Sequence, residues 1–237
     1  MPAGSLAPGS LWGGVMLLAL DTSTAQVGLA LYDGTQVIGE LFWHSRAHQT
    51  SQLAPALVEL LARAGVKIDE IKALGVALGP GSFTSLRVGL ALAKGLALAR
   101  HLPMIGIPTL DILAFAQPVR NAPLAAVLQA GRGRLAVGWY RASENGWQAE
   151  GPAAVMTADD LAQSISTPTL VCGELTAEDR QRLARKFKNI TLASPAGCVR
   201  RPGILAEIAW QKWQAGEVDP AASLAPIYLH VAGGIPA

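Results

Sequence analysis

The chain has 237 residues, of which 51% are hydrophobic and 15% charged, and its formal net charge is +2. That length suits one large domain or two small ones sharing an interface, and the charge balance offers no basic stripe for a direct grip on nucleic acid. Its two cysteines, Cys172 and Cys198, are too few for a disulfide framework and lie at no metal-ligand spacing, which fits a reducing cytoplasm.

Residues 1–15 carry no Lys or Arg and no long apolar run, so they do not make a signal peptide. They read as a flexible, dispensable extension ahead of Met16, the expected native start. Val15–Leu20 is a short apolar run closed by Asp21-Thr22-Ser23-Thr24, the pattern of a buried central strand. Gln26–Tyr32 and Gln36–Trp43 flank Asp33-Gly34, a strong hairpin signal. Thr50 and Ser51 are expected to cap a helix that runs to Ala64 and ends at Gly65. A fourth strand spans Ala73–Leu78, and the turn Gly79-Pro80-Gly81-Ser82 leads into a long helix over Phe83–Arg100. Met104–Ile107 is a fifth strand, and Pro108-Thr109 opens a third helix.

This order, βββαβαβα, is predicted to repeat more weakly. Strands are expected at Leu124–Gln129 and Leu135–Arg141, with a third after Trp147. A helix near Asp159, a strand at Thr169–Cys172, and helices at Glu178–Lys186 and Ile204–Gln214 follow. Two tandem units of this kind define an α/β, ribonuclease-H-like, actin-like fold, with a first domain over 16–118 and a second over 119–237.

Two segments could carry chemistry. Asp21, Thr22 and Ser23 on the turn after the first strand could hold a metal-bound water and a phosphate oxygen. Equally, these residue types stabilise ordinary turns. Gly79, Gly81, Ser82 and Thr84 stand between a strand and a helix, where a backbone can approach an anion. The bland alternative is a strand-to-helix turn capped by Ser82. No Gly-Lys-Ser/Thr follows, so this is not a Walker A loop.

The helix after that turn places Arg87, Lys94 and His101 on one narrow stripe, and nearly all the rest of its circumference is apolar. Arg87 and Lys94 also interrupt its longest apolar stretch, which falls short of the ~18 residues of a membrane span. Its excess apolar surface is covered either by the protein's own second domain or helix 51–64, or by a second protein. Gly89, Ala93 and Ala97, spaced by four, would let another helix come close. His44, His48, His101 and His230 suit solvent exposure or packing better than metal ligation, since the pair four apart does not lie within a predicted helix.

Leu17–Ser23, the stretch His48-Gln49-Thr50 and above all Gly79–Gly89 resemble the TsaB (YeaZ) family, bacterial partner proteins in making threonylcarbamoyladenosine in tRNA. The likeness fades after about residue 125. The resemblance implies an actin-like fold and a heterodimer with the catalytic subunit TsaD through first-domain helices, joined by the small ATPase TsaE. The expected contact uses helices 51–64 and 83–100, through Leu53, Leu57, Leu86, Gly89, Leu90, Ala93 and Ala97. The role is a scaffold with no cofactor of its own, tRNA met only indirectly in keeping with the low net charge, and a cytoplasmic setting in keeping with the cysteines. ATP or ADP at the partner joint and a homodimer of the free chain through the same apolar helices stay open at this point. TsaD carries two metal-ligating histidines where this chain has Thr109 and Leu113, and leucine has no lone pair for a cation. Ser85 stands where the family usually has Gly. Gln129-Ala130-Gly131-Arg132 and Cys172-Gly173-Glu174 replace its usual Asp-Ala-Arg and Gly-Asp-Gly, and Tyr228-Leu229-His230 ends where Arg is usual. The competing reading is an actin-fold ATPase or small-molecule kinase built on Asp21 and Gly79–Thr84. Gln129 and Glu174 give it no obvious general-base aspartate.

Overall fold

The computed structural model describes residues 14–45, 48–186 and 188–229. Most of the expected N-terminal extension, residues 1–13, and His230 lie outside the described residues. The first half runs β1 (Met16–Asp21), β2 (Gln26–Tyr32), β3 (Val37–His44), α1 (Gln49–Ala64), β4 (Ile71–Gly79), α2 (Phe83–Arg100), β5 (Met104–Pro108) and α3 (Thr109–Phe115). The second runs β6 (Leu124–Gln129), β7 (Leu135–Ser143), β8 (Gly146–Ala149), β9 (Ala154–Met156), α4 (Ala158–Ser164), β10 (Thr169–Gly173), α5 (Ala177–Lys186), β11 (Ile190–Leu192) and α6 (Pro202–Gln214).

Five strands of the first sheet lie in the order β3-β2-β1-β4-β5, and the second sheet repeats that plan as β8-β7-β6-β10-β11, with β9 added beside β7. In both halves the first three strands pair antiparallel and the crossovers pair parallel. The expected tandem actin-like architecture is therefore present. β9 and β11, three residues each, are too short to leave a periodic signal in the sequence.

Strand β1 shows how the layers arise. Its side chains alternate: Met16, Leu18 and Leu20 join the core under α1 and α2, while Leu17 and Ala19 face the opposite core, built with α6. Buried on both faces, β1 has no polar position until Asp21. Gly75 permits the close seat of α6, because a Cβ there would lie 2.7 Å from that of Ala209.

The two halves exchange their last helices. Leu110, Leu113 and Ala114 of α3 pack into the core of the second sheet, whereas Leu205, Ala206 and Ala209 of α6 pack on the first. A division at residue 118 thus cuts the sequence repeat but not the packing. The segment after α6 returns along the first sheet as well. Gly106 donates its amide to Asp219 Oδ2 (2.7 Å), and Ile227 donates to the Leu78 carbonyl (2.7 Å). Helix α1 begins two residues earlier than expected, with His48 rather than Thr50 or Ser51 at its cap and no side-chain capping bond. Among the described residues no helix is long and apolar enough to cross a membrane.

Candidate functional site

The two turns singled out for phosphate meet, but they close on each other. Ser82 donates its amide to the Ser23 carbonyl (2.7 Å), and a Cβ on Gly81 would stand 2.1 Å from that same oxygen. The space freed by Gly81 therefore holds the neighbouring backbone. Thr22 Oγ1 donates to the Ser85 carbonyl (2.7 Å) and accepts from the Gly89 amide (3.2 Å). Ser23 Oγ shares a hydrogen bond with Thr109 Oγ1 (2.7 Å), and Thr109 Oγ1 also accepts from the Gly79 amide (2.9 Å). Of the predicted set only Thr84 stays outside this network, exposed on the first turn of α2.

Asp21 is committed in the same way. Its Oδ1 accepts from the Ser23 amide (2.8 Å), and its Oδ2 accepts from Arg200 Nε (2.8 Å). Arg200 lies just before α6 and is entirely buried. Its guanidinium also donates to Glu174 Oε1, to Thr24 Oγ1 (2.9 Å) and to the Gln26 carbonyl (2.9 Å). Burial alone would lower the pKa of this guanidinium, but the Asp21 and Glu174 carboxylates raise it above its ordinary value. A fixed organic cation thus stands against Asp21, and the residues present do not fit a divalent ion beside that carboxylate. Because Glu174 follows β10 and Asp21 ends β1, the arginine ties the two halves together.

A cleft of about 820 Å³ remains between the halves, lined in part by Thr24, Ser82, Gln129, Glu174 and Arg180. Its polar walls are largely engaged with one another. Gln129 Nε2 donates to the Glu174 carbonyl (3.1 Å) and to Asp179 Oδ2 (2.9 Å), and Arg180 donates to the Ala193 carbonyl (3.0 Å). Thr109 is a buried hydrogen-bonding hub and Leu113 is core. Among the described residues no three His, Cys, Asp or Glu side chains gather as a metal set.

The helix faces require a correction. Leu53 and Leu57 of α1, and Leu86, Gly89, Leu90, Ala93 and Ala97 of α2, are buried within the protomer, and of these only Leu53 reaches the lining of an outer groove. The small residues serve the fold: Gly89 lets α2 settle onto the β1 turn, where a Cβ would lie 2.3 Å from Thr22 Oγ1. Ala93→Glu and Leu90→Asp should therefore impair folding, because each buries an unpaired charge at a cost of at least about 3 kcal/mol. A large fall in the thermal midpoint is the expected reading; a native midpoint would contradict it.

The opposite face of the pair is what stays open. Val58 is 66% exposed on α1, and Phe83 and Leu98 are 54% and 80% exposed on α2. An apolar groove of about 480 Å³ runs between the helices, walled by Ala54, Phe83, Val88, Ala91 and Leu92. The polar stripe of α2 is partly claimed by the C-terminal segment. Arg87 Nε donates to the Tyr228 hydroxyl (3.2 Å), and the guanidinium lies 3.7 Å from the centre of the Phe83 ring. Lys94 Nζ reaches the Ala222 carbonyl (3.5 Å). His101 ends the helix in the left-handed region.

Comparison with known proteins places these features in a family. The model described as "TsaD: tRNA N6-adenosine threonylcarbamoyltransferase" matches residues 43–195. The chain is 35% identical to the tRNA threonylcarbamoyladenosine biosynthesis protein TsaB of Escherichia coli over 143 residues, which are 59% of this chain and 62% of that relative. It therefore spans slightly under two thirds of the length of that protein. With TsaB of Bacillus subtilis it shares 28% identity over 221 residues, 91% of this chain and 94% of the relative. The solved structure of YeaZ from Pseudomonas aeruginosa superposes with a TM-score of 0.73 at 23% identity, covering 91% of this chain and all of that one, a likeness of fold.

Proposed function

From its place in the TsaD family, to which this chain belongs with the TsaB (YeaZ) proteins as its relatives, we propose that it is a scaffold or activator subunit in the biosynthesis of threonylcarbamoyladenosine in tRNA. It acts by docking on a catalytic TsaD subunit and carries out no chemistry of its own. The observation that carries this reading is the contrast between its two candidate sites. At the turns that the sequence offered for phosphate, Asp21 is neutralised by Arg200 and the glycine turn is filled by Ser23. On the outside, two adjacent helices leave Val58, Phe83 and Leu98 in water beside an apolar groove. Exposed apolar surface organised in this way marks a protein contact.

On this reading the docking face is the outer side of α1 and α2. TsaE joins the assembled pair, tRNA is met mainly through TsaD, and any ATP or ADP sits at the joint between subunits. The same face would support a homodimer when TsaD is absent, as a competing occupant. A reducing cytoplasm suits two buried, unpaired cysteines.

The test is reconstitution. Purified chain and the TsaD of the same organism should co-elute as one species, and TsaD activity should depend on the chain while the chain alone shows no steady ATP turnover. Turnover by the chain alone that disappears in Asp21→Ala would instead support the kinase or ATPase reading.

A further inference from the structure

A further pocket, of about 430 Å³, lies where the end of β3 and the first turns of α1 and α2 come together. Among the described residues its polar lining is Ser45, Gln49, Thr50, Ser82, Thr84 and Ser85, with no carboxylate. Two long helices start here, of 16 and 18 residues, and neither has an acidic residue in its first turn. Among the described residues, the first α1 amides with a helical acceptor belong to Ser51 and Gln52, which reach the His48 carbonyl. In α2 the first is Leu86, reaching Ser82. The amides of Gln49, Thr50, Phe83 and Thr84 therefore precede both ladders, as expected for helix starts. Each helix end carries about half a positive elementary charge, so the two together favour an anion.

Ser45 is the independent observation. It is only 4% exposed, and its backbone amide is bound to the Ala25 carbonyl (2.7 Å). Its hydroxyl, however, is buried without a hydrogen-bond partner among the described residues. A buried hydroxyl left unpaired is costly, and the pocket is the open space that this residue borders. Gln49 is held in place from the other side, donating from Nε2 to the Thr24 carbonyl (2.8 Å).

We propose that this pocket binds a tetrahedral oxyanion of the phosphate class, held by helix-start amides and by the hydroxyls of Ser45 and Thr84. It borders the closed glycine turn through Ser82 and Ser85 and the apolar groove through Thr50, Thr84 and Val88, but the anion reading does not depend on the docking reading. Two sources share this chemistry: free orthophosphate and the phosphate of a nucleoside monophosphate.

The experiment is titration of the full chain, labelled for amide NMR, with sodium phosphate and separately with adenosine 5′-monophosphate at constant ionic strength. Saturable shifts at the amides of Thr50, Phe83 and Thr84 are expected. Equal affinity for the two probes identifies the free ion as the ligand, and tighter binding of the monophosphate identifies the nucleotide. Ser45→Ala should bind about fivefold more weakly, the worth of one hydrogen bond, with its thermal midpoint unchanged or raised. Thr84→Glu, on an exposed position that leaves the fold intact, should abolish binding by placing a carboxylate in the pocket. The proposal is overturned if neither probe moves these amides, or if both variants bind as the unaltered chain does.

Discussion

Replacing Ala91 by glutamate, or Val58 by aspartate, is expected to weaken the complex with TsaD by about 30-fold or more while leaving the chain folded. Both residues are on the solvent side of their helices, Ala91 in the wall of the groove and Val58 beyond its edge on α1. Neither substitution removes a core contact, so the thermal midpoint of the isolated chain should hardly move. In the complex the new carboxylate would be taken out of water with no cation opposite, a penalty of roughly 2–5 kcal/mol, which is the source of the loss in affinity. Titration calorimetry or analytical gel filtration with the purified pair reads this directly. Normal affinity in both variants would remove the outer α1–α2 face from the contact. An intermediate outcome is informative too: if self-association is lost but TsaD binding is retained, the face serves a second copy of the chain.

The largest effect on stability is expected at Arg200. Removing its side chain leaves Asp21 and the partly buried Glu174 without their cation, and Thr24 and the Gln26 carbonyl without a donor. Breaking a buried ion pair by deleting one partner costs about 3–5 kcal/mol, which for a chain of this size corresponds to roughly 6–20 °C in the thermal midpoint. Arg200→Ala should show that fall. Adding Asp21→Asn and Glu174→Gln to Arg200→Met should recover part of it, since the unpaired charges are then gone. A fall of less than about 3 °C in Arg200→Ala would mean that the guanidinium is not what joins the halves.

These two expectations come from opposite ends of what a sequence discloses. The frame was legible because β1, β4 and β6 are short apolar runs bounded by turn residues, and because the βββαβαβα order repeats. The turns after β1 and β4 were legible as neighbours of a possible site, and the structure does bring Asp21, Ser23, Gly81 and Ser82 together. What they do there was not legible. The deciding group, Arg200, is 179 positions from Asp21 and has no local pattern around it. In the sequence Glu174 stood out only within Cys172-Gly173-Glu174, which replaces the family's usual Gly-Asp-Gly, and nothing marked Arg200 itself.

The helix faces illustrate a different limit. Helix α2 is apolar almost all round, so periodicity cannot say which side faces inward. The stripe of Gly89, Ala93 and Ala97 suits close approach, but the element that approaches is the protein's own sheet. The outward side, with Phe83, Ala91 and Leu98, is as apolar as the inward one, and that excess, visible in the composition, is the feature the docking proposal uses. Arg87 and Lys94 were legible as one narrow stripe on the helix, but not that the segment after α6 comes back to meet them. Such a return depends on where the chain goes 130 residues later, as Lys94 and Ala222 show with a separation of 128.

Hydroxyl-radical footprinting of the chain with and without its TsaD partner tests the docking face most directly, because it reports side chains one at a time. Phe83 and Leu98, about half and four-fifths exposed in the lone chain, should lose most of their reactivity in the complex, while Leu175 at the inter-half cleft should change little. Protection at the cleft with Phe83 and Leu98 still fully reactive would contradict the account.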